Sequence, residues 1–137
     1  RLSREKIVTQ VHLGEDIPTV YNNKSGFEEA LLNICMNALD AIGSVGTIQL
    51  TTEVRGKHVA VIVGDSGSGI PSEERSKMFE PFVTSKEVGK GTGLGLYVSR
   101  EIIGIMGGNI SYATSSLGGA EFTIELPIHN VSDEDTE

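Results

Sequence analysis

At 137 residues the chain has the length of one domain and can bury a core without disulfide or metal staples. Its formal net charge of −8 argues against a surface built for nucleic acid or anionic lipid. A single cysteine, Cys35, rules out a disulfide framework and points to a buried thiol in a reducing compartment; with no signal peptide or membrane-span pattern evident, a cytoplasmic domain is expected.

Strands are predicted over Lys6 to Leu13 and Thr19 to Tyr21, and a long helix over Gly26 to Ile42. Ser25 followed by Glu28 has the capping-box pattern, and Gly43 offers the left-handed stop that helices favour. Leu31, Leu32, Ile34, Cys35, Met36, Ala38, Leu39 and Ile42 give that helix a broad apolar face. Further strands are predicted at Thr47 to Val54 and Val59 to Asp65, a short helix at Ser72 to Met78, and a helix from about Leu94 to Met106. Asn109 to Thr114 and Glu121 to Leu126 read as a hairpin with a Gly-Gly turn across Ser115 to Gly119. The expected fold is α+β: a two-layer sandwich in which helices cover one face of a mixed sheet. Residues 1–131 form the domain, and 132–137 an acidic disordered tail.

Three blocks carry chemistry. In the first, Glu29, Asn33, Asn37 and Asp40 fall on one stripe of the long helix. A solvated face would do the same, but such faces favour Lys, Glu and Arg, and two asparagines one turn apart cost helix stability. An amide oxygen is a hard neutral ligand suited to magnesium that shares its other positions with water and phosphate. In the second block, Asp65 ends a strand and precedes Gly67, Gly69 and Pro71. An ionised carboxylate there could accept from the exocyclic amine of adenine; it could equally cap an ordinary turn. In the third, Gly89, Gly91, Gly93 and Gly95 alternate with Lys90, Thr92 and Leu94 ahead of a helix, where free amides and the helix dipole attract phosphate. Neither the P-loop nor the GxGxxG spacing is completed.

The blocks LLNICMNALDAI, Asp65-Ser66-Gly67-Ser68-Gly69, Phe79-Glu80-Pro81-Phe82 and Gly91-Thr92-Gly93-Leu94-Gly95-Leu96 stand in the order of a known family. From about Ile7 to Ile128 the chain resembles the catalytic, ATP-binding domain of a sensor histidine kinase, within the gyrase, heat-shock-chaperone, histidine-kinase and mismatch-repair superfamily. Phe82-Val83-Thr84-Ser85-Lys86 with the last glycine block is most similar to the nitrogen-regulatory type. The resemblance implies ATP and Mg2+ as bound groups. Asn37 would ligate magnesium, Asn33 would lie near phosphates or metal, and Asp40 and Ile70 would border the site. Asp65 would hold the adenine amine, and Gly67 and Gly69 would shape the base pocket. An ATP lid from Phe82 to Gly95 would supply Lys86, Lys90, Gly91, Thr92, Gly93 and Leu94, with Gly95 and Leu96 at its helix end.

One position departs from the hydrolytic branches of that superfamily. A glutamate four residues before the magnesium asparagine activates water there; this chain has Asn33, which cannot accept a proton at neutral pH. Glu29 lies a further turn away. The resemblance therefore implies a protein histidine kinase, with Asn33 and Asn37 as catalytic residues and little covalent work asked of the domain itself. His12, His58 and His129 lack the helical context of phosphoacceptors, so the acceptor is expected on a helical dimerisation domain of a larger parent protein, with a response regulator downstream. The parent protein could be membrane-anchored, whereas this domain is expected to be a monomer that touches neither membrane nor nucleic acid. A serine kinase of the anti-sigma type, or an ATP-binding or ATPase module of the same superfamily, remains the alternative.

Overall fold

The computed structural model describes residues 6–18, 20, 23–81 and 95–128. Its elements run β1 (Lys6–His12), α1 (Lys24–Ile42), β2 (Val45–Arg55), β3 (His58–Asp65), α2 (Ser72–Arg75), α3 (Gly95–Ile105), β4 (Asn109–Thr114) and β5 (Ala120–Pro127). The sheet order is β1-β2-β3-β5-β4. β1 and β2 are parallel, as the intervening crossover helix α1 permits, and the remaining neighbours are antiparallel. The sheet is therefore mixed, as the sequence predicts.

Strand alternation decides which face is covered. Register places Ile48 opposite Asp65, Val63 opposite Phe122, and Val61 opposite Ile124. Ile48, Val61, Val63, Phe122 and Ile124 share one core with Ala30, Ile34 and Ala38 of α1 and Ile103 of α3. Fully buried Ile34, Ile103 and Ile124 each contribute about 1.5–3 kcal/mol relative to exposure. The alternate positions, including Gln49, Thr51, Glu53, Glu121, Thr123 and Glu125, occupy the opposite face. On that face Arg55 pairs with Glu53 at 2.6 Å. The two-residue turn at Gly56 and Lys57 joins β2 to β3, with the positive φ of +60° at Gly56 that a type II′ turn asks of its first central residue.

Local differences from the sequence expectations have physical causes. Helix α1 begins two residues before Gly26, and its cap is Asn23 rather than Ser25. Asn23 has extended backbone, its Oδ1 accepts from Gly26 N at 3.0 Å, and its carbonyl accepts from Phe27 N at 2.8 Å. Ser25 thus lies inside the first turn. Helix α2 stops at Arg75 instead of reaching Met78, because Lys77 N and Glu80 N bond back three residues, to Glu74 O and Lys77 O. Of the strand expected at Thr19 to Tyr21, only Val20 is described, and it forms an isolated antiparallel bridge to Ile128. The tail 132–137 lies outside the described residues. Among the described residues, no helix is long and apolar enough to cross a membrane.

Candidate active site

Asn33, Asn37 and Ala41 recur every four residues along α1, so they define one line running about 12 Å down the helix axis. At its first end, Asn33 Nδ2 donates to Ser99 Oγ at 3.1 Å and to Gly95 O at 3.5 Å, while Ser99 Oγ donates to Ala30 O at 3.5 Å. Ser99 is fully buried. The amide of Asn33 therefore ties α1 to the first turns of α3, a job that the stripe pattern did not disclose. The same two helices also lie close near the start of α1, where a Cβ on Gly26 would stand 3.0 Å from Ile102 Cγ2. Asn37 is half-buried midway along the line, and Asp40 is exposed beside it.

At the far end of the line, the turn after β3 rests on α1. A Cβ on Gly67 would stand 2.6 Å from Ala41 O, so only glycine admits this approach. Ser66 secures the turn to β2 from the other side, its Oγ accepting from Thr47 N at 2.9 Å and its N–H donating to Thr47 O at 3.1 Å. Between these supports sits Asp65, only 2% exposed. Gly67 N and Ala120 N both donate to its Oδ1, at 2.8 and 3.2 Å. Oδ2 receives no hydrogen bond from any described residue. Burial raises the Asp65 pKa above its ordinary value, and the two amides on Oδ1 offset that only in part.

Gly119 completes the site, although in sequence it reads as an ordinary turn residue. Its N–H donates to Asp65 O at 3.0 Å, and its carbonyl accepts from Ser115 N at 2.7 Å, closing the β4–β5 loop. An added Cβ would run into Asp65 Oδ1. The Gly118-Gly119 pair was the available signal, but only the fold shows that its second member abuts a carboxylate 54 positions earlier in the chain. Cys35 is half-buried against the core rather than enclosed, and desolvation raises its thiol pKa, which keeps thiolate scarce at neutral pH.

The structure thus brings Asn33, Asn37, Asp40, Asp65, Gly67, Gly69, Ile70, Gly95 and Leu96 into α1, the turn after β3 and the start of α3. Gly69 has φ +77°, the left-handed conformation expected of it, and Leu96 packs against the core. Phe82, Lys86, Lys90, Gly91, Thr92, Gly93 and Leu94, with the lid they would form and the nitrogen-regulatory signature, lie outside the described residues. Among the described residues no group of three His, Cys, Asp or Glu could hold a metal ion.

The family described as histidine kinase-, DNA gyrase B-, and HSP90-like ATPase matches residues 22–130. Sensor histidine kinase ZraS of Escherichia coli O157:H7 is 36% identical over 115 residues, covering 84% of this chain and 25% of its own length. Among solved structures, the nucleotide-free catalytic domain of histidine kinase ThkA superposes with a TM-score of 0.78 at 34% identity, covering 89% of this chain and 80% of that one. Full-length ShkA in complex with AMPPNP gives a TM-score of 0.75 at 29% identity, covering 90% of this chain and 26% of that one. The chain spans about a quarter of the length of the curated relatives it matches.

Proposed function

The chain belongs to the histidine kinase-, DNA gyrase B- and HSP90-like ATPase family, as the catalytic, ATP-binding domain of a sensor histidine kinase, and we propose that it transfers the γ-phosphoryl group of magnesium-bound ATP to a histidine on a separate helical domain of its parent protein. The observation that carries this reading is the identity and engagement of Asn33. A hydrolase needs a general base at that place; an amide is none, and this one already donates to Ser99 and Gly95. Water is left without an activator there, so the phosphoryl group awaits a better nucleophile.

The remaining geometry supports the same reading. Asp65 Oδ2, held in orientation by the two amides on Oδ1, is an acceptor suited to the adenine amine. From that base position the line of Ala41, Asn37 and Asn33 leads to the N-terminus of α3, where the helix dipole favours phosphate. Asn37 lies partway, where its amide oxygen would hold magnesium; among the described residues no carboxylate cluster could cage the ion, in keeping with a metal carried in on phosphate. The ion would neutralise charge on the transferring group. The AMPPNP in the ShkA complex is in keeping with an ATP site in this fold.

The test mixes this domain with γ-labelled ATP, magnesium and the helical phosphoacceptor domain of the parent protein. Wild type should place an acid-labile label on a histidine, and Asn37→Asp and Asp65→Asn should not. Label on a serine, or steady phosphate release by the domain alone, would overturn the assignment.

A further inference from the structure

Ile70, at the end of the turn that begins with Asp65, has both of its main-chain groups held by side chains from elsewhere. Its N–H donates to Tyr112 Oη at 3.4 Å, and its carbonyl accepts from Arg75 Nε at 3.0 Å. The two side chains also meet each other: the Arg75 guanidinium lies 5.4 Å from the centroid of the Tyr112 ring. Tyr112 is anchored in turn. Its ring packs edge-on against Phe122 of β5 at 5.5 Å, Phe122 meets Phe79 at 6.4 Å, and Arg100 of α3 covers Phe79 at 5.0 Å. A side chain of β4 and an exposed arginine thus hold a segment with no regular structure of its own.

We infer that Tyr112 and Arg75 are positioning residues for base selectivity, clamping Ile70 so that the Asp65–Ile70 turn keeps its shape against the purine edge. The inference rests on the proposed ATP site. Adenine offers an amine at the place where guanine offers a carbonyl oxygen. An Asp65 oxygen therefore accepts from the first and repels the second, provided the turn cannot shift to re-aim the edge. Neither side chain would touch the base; both act through the Ile70 main chain. Tyr112 is half-buried and Arg75 exposed, so replacing either disturbs the core little.

The experiment measures ATP and GTP affinity of the whole domain by calorimetry for wild type, Tyr112→Phe, Arg75→Met and Arg75→Lys, with thermal midpoints alongside. Tyr112→Phe and Arg75→Met should each weaken ATP about three- to tenfold, the size of one modest hydrogen bond, and leave GTP within about twofold. Arg75→Lys, which keeps a cation and a donor, should restore most of the ATP affinity. Equal losses for both nucleotides in step with a lowered midpoint, or no loss of ATP affinity, would overturn the inference. Hydrogen exchange at the Ile70 amide separates this idea from the ATP reading. If wild type binds neither nucleotide, the ATP site falls; if Tyr112→Phe does not speed that exchange, the clamp falls.

Discussion

Gly119→Ala adds one methyl group at the point where the β4–β5 loop meets Asp65. The new Cβ would overlap Asp65 Oδ1 and stand 2.6 Å from Gly67 N and 2.7 Å from Asp65 O. None of these atoms can swing away: two belong to the main chain, and Oδ1 is held by Gly67 N and Ala120 N. Relief therefore requires the loop and the turn to part, breaking the 3.0 Å bond from Gly119 N to Asp65 O and stretching the 3.2 Å bond from Ala120 N. Overpacking costs about 1–3 kcal/mol, and each of the two bonds about 1 kcal/mol. The sum, about 3–5 kcal/mol, is a large part of the roughly 5–15 kcal/mol that holds a domain folded. For a chain of this size it corresponds to a fall of about 10–20 °C in thermal midpoint. Gly118→Ala is the control: nothing lies within 4 Å of its Cβ, and its φ of +105° exacts only a backbone strain of about 1–3 kcal/mol. Thermal unfolding followed by circular dichroism compares the two. A Gly119→Ala protein melting no lower than Gly118→Ala would refute the steric reasoning.

Three further outcomes are expected. Asp65→Asn should separate stability from binding: Asn Oδ1 can still accept from Gly67 and Ala120, but its other atom is a donor facing the adenine amine, so ATP affinity should be lost in a folded protein. Because the folded-state pKa of Asp65 is raised, its contribution to stability is present below the ordinary value of 3.8 and lost as pH rises through the raised value. Urea titrations should accordingly show Asp65→Asn gaining on wild type from pH 3.8 upward, and a difference that stays flat or runs the other way would count against a desolvated carboxylate. Asn33→Ala should lower the urea midpoint by the equivalent of about 1–2 kcal/mol with an unchanged slope, since it removes the donor to Ser99 and Gly95; an unchanged midpoint would mean the α1–α3 tie is idle. Asn23→Ala should cost about 1 kcal/mol by the same measurement while Ser25→Ala costs less, and the reverse order would restore Ser25 as the cap.

Much of this domain was legible before any coordinates. Helix α1, strands β2 to β5 and the hairpin follow from periodicity and turn residues, because those signals depend on neighbours a few positions apart. Asp65, Gly67 and Gly69 were likewise visible as a carboxylate beside permissive backbone. The cap lies two residues before the position the sequence suggests because Asn23 and Ser25 both carry a capping side chain, and where the chain enters the helix decides between them. Helix α2 ends sooner than its sequence pattern suggests because the bonds that follow it reach back three residues rather than four.

By itself, the order of polar and glycine blocks determined the family and the chemistry available to each position, since side-chain type is a local property. Only the tertiary structure decided what those groups touch. Asn33 reaches Ser99 across 66 positions, Ala120 reaches Asp65 across 55, and Tyr112 reaches Ile70 across 42. Nothing in the spacing of these residues encodes the contacts; sheet order and the packing of α1 against α3 bring them together. A glycine in a turn and a glycine that makes room for a buried carboxylate read alike in sequence, and differ only in what the fold places opposite the missing carbon.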